Sequence, residues 1–372
     1  MSAAVKPSEC GPGALRSPAL DLPAVERWFA RHVAGAALPL GSELIAGGHS
    51  NLTYRIADTG GRCFALRRPP LGDQPASAHD VLREARILTA LRSTAVPVPP
   101  VIGTCRDTGV IGAPFYVMDW VEGPILDRLS RLEELLPTEH DRRHAAFALV
   151  DTLAALHRID VTAVGLADLG PHGRYLERQL ARMWRVWERT KTRELPLIDS
   201  LHQRLRELCP AQQHTALVHS DFRFGNLILR TDGTPAAVLD WELCAIGDVW
   251  VDLGFLLANW DLPADPWPNV WMELPPTRGG GFPTREELIE RYARASGRAP
   301  AHIGYYQAFC LWRIAIIAEG MKRRYANGAM GEQAVDPGLL EQRVRDRAER
   351  ADRVLQESTI HIRKPRHQSA GE

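Results

Sequence analysis

The chain is 372 residues long, with 45% hydrophobic and 24% charged residues, an ordinary globular composition that excludes wholesale disorder and fibrous or low-complexity folds. At about 150 residues per domain, this length suggests two lobes. Lys+Arg and Asp+Glu are both 45, so the formal net charge is zero, against the basic excess of a dedicated nucleic-acid binder; no partner of that class is expected.

The first 20 residues are rich in Pro, Gly, Ala and Ser and lack the apolar core of a secretory leader, so residues 1–20 are expected to be a disordered arm. No run of about 18 apolar residues occurs, and no membrane span is expected. The six cysteines, at 10, 63, 105, 209, 244 and 310, form no CxxC pair and no zinc-type cluster with histidine. Six free thiols in a reducing, cytoplasmic setting are expected.

In chain order, DLPAVERWFARHV reads as a short helix, with Asp21 as N-cap and Pro23 in the first turn. LTYRIA and RCFALR read as a hairpin across Asp58–Gly61. SAHDVLREARILTALRS has apolar residues at helical spacing, with Ser77 as a plausible N-cap. VPVPPVIGTCRD and APFYVMDWVEG read as two further strands. Residues 21–120 therefore form a small strand-rich lobe with an inserted helix, and residues 121–358 a larger lobe that is mostly helical. Within the larger lobe, LVHSDFRFGNLILR and AAVLDWE read as short strands around the turn TDGTP. Residues 261–283 are rich in Pro and Gly and are expected to be a long loop, and 359–372 a flexible tail.

The chemistry concentrates in His219-Ser220-Asp221-Phe222-Arg223-Phe224-Gly225-Asn226 and, 14 residues on, Asp240. A carboxylate and a carboxamide five residues apart on a loop can face one pocket. A second carboxylate after the next strand completes an all-oxygen set suited to Mg²⁺. Phosphoryl transfer needs these parts: a base that orients a hydroxyl, and ligands for a metal that neutralises phosphate charge. Gly47, Gly48, His49, Ser50 and Asn51 precede a strand, where small residues would let backbone N–H groups approach phosphates, although such a turn can equally be only a turn.

HxDxxxxN followed by a strand ending in Asp resembles the aminoglycoside phosphotransferase and choline kinase-like family. GGHSNLTYRI, FALRRPPLG, SAHDVLREARIL, APFYVMDWVEG and HSDFRFGNLIL…VLDWELCAIGDVWVDLGFLL resemble, in order, a subgroup that includes the kinase-like domain fused to some acyl-CoA dehydrogenases. The resemblance covers about residues 21–350. It implies an α+β, two-lobed protein-kinase-like fold, with a small antiparallel-sheet lobe and a larger mainly helical one, using ATP and Mg²⁺. It implies Asp221 as the catalytic residue and Asn226 and Asp240 as metal ligands. It also implies Gly48, His49, Ser50 and Asn51 as a nucleotide loop, with adenine read by backbone near Asp119 and Val121. Where protein kinases carry a strand lysine paired with a helix glutamate, this chain offers Arg67 or Arg68, with Glu84 on the helix. Register favours Arg67, whose planar fork can hold phosphates. Ser220 stands where the family usually has glycine. His219, His157, Asp248 and Asp252 read as braces of the loop.

For the acceptor, Arg174, Arg178, Arg182, Arg185 and Arg189 fall within a stripe of roughly 80° on one helix, and Lys322, Arg323 and Arg324 add positive charge on another. The stripe is either a solvated face or a basic rim for an anionic substrate. Trp260, Trp267, Trp271 and Phe282 could line an apolar acyl pocket or anchor the long loop. The reading is an ATP-dependent kinase of a small-molecule hydroxyl, anionic or acyl-linked. An aminoglycoside-type antibiotic kinase is one alternative. A catalytically silent nucleotide-binding module acting through partners is another.

Overall fold

The computed structural model describes residues 20–45, 51–70, 80–266, 273–326 and 337–363. In chain order its elements are α1 (Leu22–His32), β1 (Gly41–Leu44), β2 (Leu52–Ala57), β3 (Cys63–Arg68), α2 (Val81–Leu91), β4 (Val101–Cys105), β5 (Phe115–Asp119), α3 (Leu132–Leu135), α4 (Glu139–His157), α5 (Tyr175–Thr190), α6 (Pro196–Glu207), β6 (Thr215–Val218), β7 (Leu227–Leu229), β8 (Pro235–Val238), β9 (Ala245–Asp248), α7 (Val249–Ala258), α8 (Arg285–Ser296), α9 (Ile303–Ala326) and α10 (Pro337–Arg363). The chain divides into two compact units. One runs to Gly123, three residues past the expected lobe boundary, and takes back Ala236–Glu242; the other holds Pro124–Pro235 and everything from Leu243.

The N-terminal unit is built on a five-stranded antiparallel sheet of order β1-β2-β3-β5-β4. The expected hairpin is present, with Ala57 opposite Cys63. Alternation along β2 and β3 sends Tyr54, Ile56, Phe64 and Leu66 into a core shared with Trp28 and Phe29 of α1. Asp21 caps α1 through the Ala24 amide at 3.0 Å, and Leu20, placed in the arm by the sequence, is buried in this core. A Cβ at Gly103 would lie 3.0 Å from the Trp28 ring, so the glycine lets the tryptophan lie against β4. Helix α2 starts at Val81 under Asp80, not Ser77, because the Asp80 carboxylate accepts from the Arg83 amide at 2.9 Å. The returning segment joins this unit through Val238, whose amide donates to the Pro97 carbonyl at 2.8 Å.

The C-terminal unit is mainly helical, with β6 and β9 paired antiparallel. Capping boxes start α4 (Thr138 with Asp141) and α8 (Thr284 with Glu287). Helices α6 and α7 are not anticipated by periodicity. All ten residues of α7 are buried, so it lacks the polar stripe by which a surface helix announces itself. A Cβ at Gly254 of α7 would meet the Tyr306 backbone of α9 at 2.7 Å, which is why these two helices can approach so closely. Helix α10 continues to Arg363, beyond the boundary at 359 expected for a flexible tail. Among the described residues no helix is long and apolar enough to cross a membrane. Among the described cysteines, Cys105, Cys209, Cys244 and Cys310 are free, whereas Cys63 is disulfide-bonded, which corrects the expectation of six free thiols.

Candidate active site

Strand alternation separates the two candidate arginines of β3. Arg68 is buried on one face, donating to the Ile111 carbonyl at 3.1 Å and lying over the Tyr54 ring. Arg67 faces the other way. Its Nε lies 3.0 Å from Glu84 Oε2 of α2, and its Nη2 donates to Asp240 Oδ1 at 2.7 Å. One guanidinium thus gathers two carboxylates that are far apart in sequence. Burial disfavours the Arg67 charge, but Glu84, Tyr116 and Asp240 outweigh it and raise its pKa above the ordinary value. Burial pushes the Glu84 carboxyl up to about 7, opposed by Arg67.

The other residues expected to meet nucleotide are distributed as follows. Asn51 opens into β2, buried, with its Oδ1 lacking a hydrogen-bond partner. Gly48, His49 and Ser50 lie outside the described residues. Asp119 ends β5, and its amide already donates to the Pro100 carbonyl at 2.8 Å, while Val121 follows in the same unit.

In the C-terminal unit, β6 delivers His219 and Ser220 onto the carboxylate of Asp252 in α7. The two amides donate to Asp252 Oδ2 and Oδ1 at 2.7 and 2.6 Å. His157 Nε2 reaches the same carboxylate at 3.1 Å, and its Nδ1 lies 2.7 Å from the Tyr292 hydroxyl. Burial lowers the His157 pKa against the pull of Asp252, so the imidazole is neutral at pH 7. Burial alone would raise the Asp252 pKa, but the bonds from His157 and the His219 amide overcome it and the net shift is downward. His219 Nδ1 accepts from the Asp221 amide at 3.2 Å, a bracing role as read from the sequence.

This brace holds an uncommon backbone. Ser220 has φ of 70°, in the left-handed region that favours glycine, which accounts for the glycine usual at this place. The strain is held by three bonds: the amide to Asp252, the hydroxyl to Tyr175 at 3.2 Å, and the carbonyl accepting from Arg313 Nη2 at 2.5 Å. Asp221 is then fixed from both sides. Arg223 Nε donates to its Oδ1 at 3.1 Å, and Asn226 Nδ2 donates to its Oδ2 at 2.9 Å and to its carbonyl at 2.8 Å. Asn226 therefore keeps its own Oδ1 for another partner. Asp240 also has a left-handed backbone, with φ of 65°. Asn226 and Asp240 are hard oxygen donors of the kind Mg²⁺ takes beside phosphate. Among the described residues no group of three or more His, Cys, Asp or Glu side chains forms a metal cage by itself.

A cavity of about 280 Å³ opens beside Asp221 within the C-terminal unit. Leu126, Phe224, Phe255, Trp260, Ile314 and Ile317 give it an apolar lining, and Asp127, Asp221, Glu273, Arg223, Arg313 and Arg347 supply its charges. No arginine of the α5 stripe lines it: Arg174, Arg182, Arg185 and Arg189 are exposed. The stripe is thus a solvated face, because α5 turns Leu176, Leu180, Met183 and Trp187 inward and its arginines outward. Of the expected acyl-pocket aromatics, Trp260 lines the cavity, Phe282 packs edge-on against Trp260, and Trp267 and Trp271 lie outside the described residues. Sequence reasoning did not single out Arg223 and Arg313. Arg223 sits two residues from Asp221, and Arg313 is a lone cation in the apolar run LWRIAII; both were visible as signals.

The phosphotransferase enzyme family matches residues 42–307. Mouse acyl-CoA dehydrogenase family member 10 is 36% identical over 287 residues, which are 76% of this chain and 26% of that protein. Chicken acyl-CoA dehydrogenase family member 11 is 32% identical over 324 residues, 83% of this chain and 40% of that protein. The chain therefore spans between a quarter and two fifths of these relatives. Among solved structures, a Ralstonia eutropha protein described as a "putative aminoglycoside phosphotransferase" superposes with a TM-score of 0.75 at 29% identity, covering 91% of this chain and 99% of its own. Aminoglycoside phosphotransferase APH(4)-Ia, in complex with AMP-PNP and hygromycin B, shares the fold with a TM-score of 0.58 at 16% identity, covering 90% of this chain and 99% of its own.

Proposed function

The chain belongs to the phosphotransferase enzyme family, and from that premise we propose that it moves the γ-phosphoryl group of ATP to a hydroxyl of an anionic or acyl-linked small molecule, of hydroxy-acid or hydroxyacyl-CoA type. It is an ATP-dependent small-molecule phosphotransferase of kinase-like fold. The observation that carries the finer reading is the cavity beside Asp221, whose lining is apolar and whose acidic side chains are already paired. Arg128 meets Asp127 and Glu273 at 3.0 and 3.3 Å, and Ser130 donates to Glu273 at 2.6 Å. A polycationic aminoglycoside would require free acids there. The acyl-CoA dehydrogenase names of the relatives lean the same way.

In this reading Asp221 orients the acceptor hydroxyl and takes its proton. The acceptor oxygen forms a bond to the γ-phosphorus as the bond from that phosphorus to the ADP oxygen breaks. Arg223 and Asn226 hold the Asp221 carboxylate in one orientation, so little reorganisation is needed at the moment of transfer. Arg67, positioned by Glu84, supplies a fixed guanidinium for the nucleotide phosphates. Asn226 and Asp240 would hold Mg²⁺, which when bound neutralises phosphate charge.

The test is ADP release from Mg·ATP over a panel of hydroxy acids, their CoA thioesters, aminoglycosides and amino-alcohols, with Asp221→Asn as the blank. Turnover confined to the acyl compounds is expected. Turnover confined to aminoglycosides would replace the acceptor class. ATP binding with no turnover on any acceptor would favour the silent module.

A further inference from the structure

We propose that Arg313 recognises a carboxylate of the acceptor and thereby sets the specificity of the cavity beside Asp221. The inference rests on the reading that this cavity receives the acceptor. Arg313 is only 5% exposed, yet it lines the cavity. Its guanidinium is anchored by Nη2 on the Ser220 carbonyl and lies over the Phe255 ring, 5.3 Å from the centroid. Its Nε is buried and has no hydrogen-bond partner among the described residues. Among the described residues no carboxylate lies within ion-pair distance of it, whereas Asp127, Glu273 and Asp221 each have a cationic partner.

Taking a guanidinium out of water without a carboxylate beside it carries a desolvation cost, and the Ser220 carbonyl and the ring of Phe255 offset only part of that. A ligand anion would remove the cost. Arg347 of α10, 6% exposed, lines the same cavity and adds a second positive charge. Apolar side chains occupy most of the remaining wall, which suits an aliphatic body. The chemistry selected is a hydroxy-carboxylate, with the hydroxyl at Asp221 and the anion at Arg313. Because Arg313 is tied to the carbonyl of the residue next to Asp221, anion and hydroxyl lie a few carbons apart. An alternative source of the same negative charge is a phosphate of a CoA thioester, which the experiment separates.

Straight-chain carboxylates of four to eight carbons that lack a hydroxyl, and their primary amides, are titrated into the full chain by calorimetry. The wild type is expected to bind the acids about 10- to 100-fold more tightly than the amides, the range of a hydrogen bond to a charged group. Arg313→Gln, which stays polar but loses the charge and the fork, should erase that preference. Arg182→Gln on the exposed stripe should leave it intact. With hydroxy acids as acceptors, Arg313→Gln should raise the acceptor KM by a similar factor while the ATP KM stays within about twofold. Arg313→Lys should restore part of the preference. Amides binding as well as acids to the wild type would overturn the proposal, and that comparison needs no variant to fold. Loss in Arg313→Gln of CoA-thioester binding alone, with acids unaffected, would overturn the carboxylate assignment. Arg313-dependent acid binding with no ATP turnover would sink the phosphotransfer reading and leave this inference standing. Equal turnover of hydroxy acids and the corresponding hydroxy amides would do the reverse.

Discussion

The cluster around Arg67 and the loop around Asp221 hold their charged groups by different means. Arg67, Glu84 and Asp240 come from β3, α2 and the segment after β8, and what holds them is attraction between unlike charges, with Arg67 and Glu84 largely buried and Asp240 partly exposed. Asp221 sits on a loop whose backbone is clamped from beneath by a single carboxylate, Asp252, that accepts two amides and a histidine. The first arrangement depends on side-chain charge and the planar fork of arginine. The second depends on satisfied backbone donors. An ion-pair cluster can tolerate a shift of its members and still attract; a strained loop cannot lose its acceptor without losing its conformation.

The contrast can be broken experimentally. The largest effect is expected for Asp221→Asn: turnover should fall by about 10²–10⁴ with nucleotide affinity kept within a few-fold, as read by ADP release and nucleotide titration. A parallel fall in thermal stability would mean that Asp221 also braces the loop. Next, Asp252→Ala strips the acceptor from the amides of His219 and Ser220 and from His157. Two buried amides are left unsatisfied, so a loss of about 2–6 kcal/mol in denaturant unfolding is expected, with activity falling although no reacting group is touched.

Asp248 gives a pH test of the same unit. Burial pushes its carboxyl up to about 6, against the bonds it accepts from the Tyr306 hydroxyl and the Trp250 amide. A carboxyl raised in the folded state contributes stability that is full below about pH 3.8 and is lost as pH rises through 6. Asp248→Asn removes the titrating group, keeps an acceptor for the Trp250 amide and turns its Nδ2 donor toward the Tyr306 oxygen; it should flatten that slope, by up to about 3 kcal/mol between pH 4 and pH 7. An unchanged slope would place the titration elsewhere.

Arg67→Lys keeps the charge and loses the fork. The nucleotide KM should rise about 10-fold with a smaller change in kcat; an equal fall in kcat and kcat/KM with KM unchanged would indicate a role in the transition state. The smallest effect is expected at Ser220. Ser220→Gly relieves a left-handed serine but loses the Tyr175 bond, so stability should change by less than about 1 kcal/mol. Ser220→Val should cost more than that, because a β-branched residue does not accept φ of 70°.

Much of the site was legible because it is local. Asp221, Asn226 and their bracing histidine lie within eight consecutive residues, and a loop of that length carries its own geometry. The choice of Arg67 over Arg68 was also legible, since a strand alternates and only one of two adjacent side chains can meet α2. The start of α2 was misplaced because Ser77 and Asp80 are both good caps, and only the coordinates tell which carboxylate or hydroxyl meets the free amides. The arginine stripe of α5 was visible as a stripe, yet its destination was not: periodicity gives the buried face of a helix and says nothing of what stands opposite the exposed one.

What the sequence by itself determined is the family, the order of most elements, and which residues of the 219–226 loop stand close to one another. Tertiary structure alone decided that 236–242 returns to the N-terminal unit, that Tyr292 completes the brace through His157, and that Arg313 lies buried beside Asp221. Those facts join residues scores of positions apart. They follow from how apolar surfaces pack, which fixes the path of the chain first and leaves each charge to find its partner in the space that results.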